Sequence, residues 1–99
     1  KPKLKSRHSW HLFTILLSKK SEISRNKLIF KLRNMGIQTS VHYVPIHKLS
    51  FFKKNLDLKG KDYPNTNLIF KRIISLPIYP NLKFKDIKYI TNQIKIILK

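Results

Sequence analysis

Gly36-Ile37-Gln38-Thr39-Ser40-Val41-His42-Tyr43-Val44-Pro45-Ile46-His47 is the stretch on which the reading of the fold turns. It opens on glycine, the residue that takes a positive φ at little cost and so can end a helix. From Ile37 the pattern changes from a period near 3.6 to a period of 2. Ile37, Thr39, Val41 and Tyr43 fall on one side, and Gln38, Ser40, His42 and Val44 on the other. The alternation predicts a buried strand over 37–44. Pro45 has no N–H to give a ladder and ends it. His42 and His47 bracket the exit.

Toward the N-terminus lies a bounded helix, Ser24 to Gly36. Ser24 stands at the N-cap position and Ile23 can staple onto Leu28. Leu28, Leu32 and Met35 recur at helical spacing with Ile29 beside them, while Arg25, Lys27, Lys31 and Arg33 fall mostly on the wet side. Further back, His8 to Leu17 is short, aromatic and apolar, with Trp10 in it, and predicts a largely buried strand. Lys1 to Arg7 is a basic lead-in and Ser18 to Glu22 a polar connector.

Toward the C-terminus, Ile46 to Lys54 suits a short helix or turn, and Asn55 to Tyr63 a loop. Pro64 suits the first turn of a helix that runs to Arg72. Ser75 to Pro80 is a short extended piece that its prolines confine to an edge. Ile87, Ile90, Ile94 and Ile97 mark Phe84 to Leu98 as an amphipathic helix, with Asp86 near its start and Lys95 and Lys99 at its end. The order strand, helix, strand, helix, short strand, helix predicts an α/β (α+β) fold with one small sheet and helices on a face.

Ninety-nine residues make one domain, or part of one, with a thin core. Met35 is the only methionine, and the expectation is a piece of a longer chain. With 41% hydrophobic residues the chain is too apolar to be disordered. It has no cysteine, hence no disulfide and no thiolate metal site. No apolar run approaches the roughly 20 residues that span a bilayer, so no membrane role is expected. The apolar run behind the basic lead-in is only about six residues, shorter than a signal peptide's apolar region, so no signal peptide is expected. The net charge of +18 has two readings. One is an anionic partner such as nucleic acid or a phosphate-bearing substrate. The other is drift toward lysine in AT-rich coding sequence. The lysines are scattered rather than gathered, which favours drift and leaves a free-standing nucleic-acid-binding module as the alternative function.

Self-contained chemistry finds little support. His8 and His11, three apart, point to opposite faces of a strand, and no carboxylate sits near them or near His42 and His47. Glu22, Asp57, Asp62 and Asp86 form no pair for acid–base work. Gly36 and Gly60 are the only glycines, too few for a phosphate loop. Binding remains. Trp10, His11, His42, Tyr43 and His47 are amphipathic side chains near strand ends that could line a pocket for a polar ring and a diphosphate. Simple packing serves Trp10 and Tyr43 equally well.

Several separated segments, in order, resemble the C-terminal part of the DegT family of pyridoxal-phosphate-dependent nucleotide-sugar aminotransferases. They are Ser9-Trp10-His11-Leu12-Phe13, Ser24-Arg25-Asn26-Lys27-Leu28, Gly36 to His47, Tyr63-Pro64, and Ile74-Ser75-Leu76-Pro77-Ile78-Tyr79-Pro80 before the last helix. The resemblance implies that residues 1–99 are the small C-terminal domain of the aspartate-aminotransferase (type I) fold, with a mainly antiparallel sheet. It implies an enzyme that moves an amino group from glutamate to a keto-sugar on a nucleoside diphosphate, for surface polysaccharide or amino-sugar synthesis. It further implies a cytoplasmic homodimer with sites at the subunit interface. It puts His42, Tyr43 and His47 near the sugar, and Trp10 and His11 on the neighbouring strand. The Schiff-base lysine and the aspartate that meets the pyridine nitrogen belong to the family's large domain, so pyridoxal 5'-phosphate is expected to be held mainly outside this chain. Phe13 stands where relatives often carry tyrosine, and Lys83 where they often start the last helix with threonine or serine.

Overall fold

The structure, a computed structural model, describes residues 7–99. Most of the expected basic lead-in therefore lies outside the described residues. Two strands and four α-helices follow in the order β1 (Phe13–Leu16), α1 (Arg25–Asn34), α2 (Ser50–Asn55), α3 (Pro64–Phe70), β2 (Ile73–Leu76) and α4 (Phe84–Leu98). Single 3₁₀ turns at Ile46–Lys48 and Gly60–Asp62 precede α2 and α3. The fold class is the expected one, an α/β arrangement around a small antiparallel sheet.

Helix α1 forms where its punctuation places it. The Ser24 hydroxyl accepts from the Lys27 amide at 3.2 Å, satisfying a donor that has no partner inside the helix. At the other end Gly36 takes φ +74°. Its N–H reaches the Arg33 carbonyl and the Ile37 N–H reaches the Leu32 carbonyl, both at 2.9 Å. This is the paired closure in which an apolar residue past the glycine packs back on the last turn, and both Ile37 and Leu32 are buried. A side chain at position 36 would meet no atom within 4 Å, so only backbone strain opposes one there. Gly36→Ala is expected to cost about 1–2 kcal/mol in urea unfolding, the penalty of the left-handed region for a residue with a Cβ.

The sheet pairs β1 antiparallel to β2 with Phe13 opposite Leu76, Thr14 opposite Ser75, Ile15 opposite Ile74 and Leu16 opposite Ile73. Alternation therefore puts Phe13, Ile15, Ile74 and Leu76 on one face and Thr14, Leu16, Ile73 and Ser75 on the other. The first face meets α1 and α4. Leu17, Leu28, Leu32, Ile37, Ile74 and Ile97 form the core there, with Ile15, Ile23, Ile29, Ile90 and Ile94 packed around them. Tyr89 ties α4 to the end of α1 by donating to the Met35 carbonyl at 3.1 Å. At the start of α4 the Asp86 carboxylate accepts from the Lys83 N–H at 3.3 Å. The Lys83 side chain has no acceptor with which to complete a reciprocal cap.

Three sequence expectations need correction, the first being the extended piece expected over Ser75–Pro80, which forms as Ile73–Leu76 and stops before Pro77. The strand expected over His8–Leu17 is only Phe13–Leu16, and Trp10 before it sits at φ +53°, outside any strand conformation. Its burial is also less than expected, since Phe13 and Leu16 are exposed. The strand expected over 37–44 does not form. Ser40 alone pairs, exchanging two backbone hydrogen bonds with Ser75 at 2.8 and 3.1 Å on the edge of β2 away from β1. The neighbouring positions on that edge explain why the ladder stops. Pro77 has no N–H to offer. The Ile73 carbonyl is taken by the Arg25 guanidinium at 3.3 Å. Arg25 thus departs from its expected wet face. It also donates to the Phe70 carbonyl at 3.0 Å and lies 5.1 Å over the Phe70 ring, fastening α1 to the α3–β2 junction.

Candidate functional site

The bridge at Ser40 carries the chain past the end of the sheet and opens a cleft of about 560 Å³. Its polar lining comes from His11 before β1, Gln38 and Ser40 after α1, His42, Ser75 in β2, and Tyr79 beyond it. Leu12, Leu76, Pro77 and Ile78 supply apolar wall. The Ser75 side chain, on the sheet face opposite the core, is nearly all buried, and its Oγ lies 2.8 Å from His42 Nδ1. His42 is half-buried, and no hydrogen bond engages its other nitrogen among the described residues. Asp86 also lines the cleft, but its carboxylate is held by the Lys83 N–H.

The five expected site residues do not all meet. His11 and His42 share the cleft. Tyr43 follows His42 through a cis peptide, stands 71% exposed, and sets its ring edge-on to the His42 ring at 4.8 Å. It lines a smaller hollow of about 230 Å³ with Pro45, Ile69 and Ile73, which His42 also reaches. Trp10 is exposed, leans on His8 and Phe13, and lines neither.

His47 lies elsewhere, with only 6% of its surface exposed. Its ring stacks on Tyr63 at 4.9 Å and 9°. Its Nε2 is 2.9 Å from Asn67 Oδ1, and Asn67 Nδ2 donates to the Gly60 carbonyl at 2.6 Å. With the amide nitrogen spent on Gly60, the atom facing the imidazole is an acceptor only, so His47 Nε2–H donates. His47 therefore locks the segment before α2 onto α3. It fronts a separate, open basic hollow with Lys48, Lys53 and Lys59.

Sequence reasoning passed over Ser75 and Gln38 as site residues. The signal for Ser75 was a small polar residue between Ile74 and Leu76 in an otherwise apolar strand, a position that burial makes costly unless the hydroxyl is bonded.

Neither a metal centre nor a cofactor lysine is built from these residues. Among the described residues no three histidine or acidic side chains cluster. A lysine that forms a Schiff base is activated by desolvation or by a neighbouring cation. Every described lysine is exposed except Lys31, which is half-buried on α1 and lines no part of the cleft. These residues do not fit pyridoxal phosphate as its covalent anchor. No helix among them is long and apolar enough to cross a membrane.

Residues 1–95 match the model of the DegT/DnrJ/EryC1/StrS aminotransferase family. The chain is 34% identical over 95 residues to SpsC, a spore coat polysaccharide biosynthesis protein of Bacillus subtilis, covering 94% of this chain and 24% of that one. It is 38% identical over 93 residues to the uncharacterised protein MJ1066 of Methanocaldococcus jannaschii, covering 93% and 24%. Among solved structures it resembles Spr1654 of Streptococcus pneumoniae, assigned as a sugar aminotransferase and solved in apo, PLP and PMP forms. The TM-score is 0.80 at 31% identity, over 88% of this chain and 22% of that one. PseC of Helicobacter pylori, an aminotransferase of pseudoaminic acid biosynthesis, shares the fold at TM-score 0.81 and 23% identity, over 89% and 23%. The chain spans about a quarter of the length of the curated relatives it matches.

Proposed function

The chain belongs to the DegT/DnrJ/EryC1/StrS aminotransferase family, and from that premise we propose that residues 1–99 are the small, substrate-side domain of a sugar aminotransferase. The amino donor in this reading is glutamate and the acceptor a keto-sugar carried on a nucleoside diphosphate. The product serves surface polysaccharide or amino-sugar synthesis, and the working enzyme is a cytoplasmic homodimer. The relative SpsC, named for polysaccharide biosynthesis, supports that direction.

The observation that carries the reading is the cleft in which Ser75 holds His42 at 2.8 Å. It is a polar recess in which His42 keeps one ring nitrogen for a ligand, backed by Pro77 and aliphatic side chains. Such a recess orients a polar ring and keeps water from it. Pyridoxal phosphate, held by residues outside this chain, would supply the electron sink for amino transfer. This chain's part is to bind the sugar, orient it and close over it.

The test is amino transfer by the full-length protein. With pyridoxal phosphate, glutamate and a nucleoside-diphosphate keto-sugar, 2-oxoglutarate should accumulate in step with amino-sugar. Residues 1–99 alone should form none, there being no lysine fit to anchor the cofactor among the described residues. Failure of the full-length protein on every keto-sugar nucleotide offered would overturn the assignment.

A further inference from the structure

We propose that Ser75 is a positioning residue that fixes His42 as its Nε2–H tautomer, so that the cleft offers its ligand a hydrogen-bond donor. The proposal rests on the reading that His42 meets the sugar, and it adds the sense of that contact. Ser75 is 4% exposed. Its backbone N–H and carbonyl are both spent on Ser40, so neither is available to its own site. Its hydroxyl has one described partner, His42 Nδ1 at 2.8 Å.

A buried hydroxyl must place its proton, because a buried donor left unmade loses the full worth of its hydration. The acceptor within reach is Nδ1, and Nδ1 accepts only when it carries no proton. The opposite arrangement, Nδ1–H donating to Oγ, leaves the serine proton with no described acceptor. The neutral ring therefore carries its hydrogen on Nε2. No described hydrogen bond engages that nitrogen. The Tyr43 ring meets the imidazole edge-on, and the Asp86 carboxylate, which also lines the cleft, accepts from the Lys83 N–H through Oδ2. What His42 can take at Nε2 is thus an oxygen acceptor: a sugar hydroxyl, a carbonyl or a phosphate oxygen. In this tautomer it does not abstract a proton from the ligand.

The experiment is the imidazole ¹⁵N spectrum of the 99-residue chain labelled at histidine, with His42 assigned by the signals that His42→Ala removes. The expected result is a protonated Nε2 and an unprotonated, hydrogen-bonded Nδ1. Ser75→Ala should collapse the separation between the two nitrogens toward a tautomer average, and Ser75→Thr should restore it. A protonated Nδ1 in the unsubstituted chain, or a signature that Ser75→Ala leaves unmoved, overturns the proposal. In the full-length enzyme Ser75→Ala should raise KM for the sugar nucleotide by roughly tenfold, the loss of one well-made hydrogen bond, with Ser75→Thr close to the parent. A KM that Ser75→Ala leaves unchanged also overturns it. The spectrum is read without substrate, so it stands or falls apart from the amino-transfer assay.

Discussion

Leu28→Ala is expected to remove about 2–5 kcal/mol from the unfolding free energy, the range for deleting a buried leucine side chain when its surroundings relax only in part. Leu28 is wholly buried, as are Leu32 and Ile74, and among the described residues six make up the buried apolar core. In a domain of this size total stability is on the order of 5–15 kcal/mol, so the loss takes a large part of it. The urea midpoint should fall sharply at constant slope, and the chain should be partly unfolded in buffer at 37 °C. Phe51→Ala is the contrast. That ring is 67% exposed and packs edge-on against Phe52, so its loss should cost within about 0.5 kcal/mol. Equal effects from the two substitutions would mean that the core lies elsewhere.

His42→Ala should act on the other axis. In the full-length enzyme kcat/KM is expected to drop by roughly 10–100-fold, the worth of one directed hydrogen bond in a water-poor recess. Stability should fall by about 1–2 kcal/mol, because the ring is half-buried and its removal also takes the acceptor from the Ser75 hydroxyl. Steady-state kinetics beside urea titration separates the two. Undiminished turnover at working substrate concentration would return His42 to a packing role and leave His11 as the imidazole that serves the cleft.

The helices were legible because each carries its own punctuation. Ser24 and Gly36 bound α1, Pro64 opens α3, and the isoleucine stripe of α4 repeats at the period of the structure it makes. These signals are local, and tertiary packing had only to accept them. The strands were less so. Period 2 over 37–44 is a real pattern in the sequence, but a strand needs a partner edge. Whether β2 could offer one was decided by Pro77 and by Arg25 from another helix, some 50 residues away in the chain in the latter case. No inspection of 37–44 alone contains that fact. The site divided in the same way. His42 was conspicuous as an amphipathic side chain beside the Pro45 exit and His11 as one on the neighbouring segment, and both line the cleft. His47 looks identical in sequence, and only the arrival of Tyr63, Asn67 and Gly60 turns it into a buried fastening. Ser75 was overlooked because a serine in a strand is unremarkable until its hydroxyl is seen pointing away from the core.

Three requirements fall on that one serine: it stands opposite Thr14, it bridges Ser40, and it anchors His42. Its neighbours Ile74 and Leu76 belong to the other face. A slip of one residue in strand pairing would exchange the faces, bringing an aliphatic side chain against His42 and carrying a hydroxyl into the leucine core. The same error would then spoil recognition and folding together. A misaligned copy would not persist as a stable protein with a defective cleft; it would be too unstable to accumulate, and quality control would meet it before any substrate did.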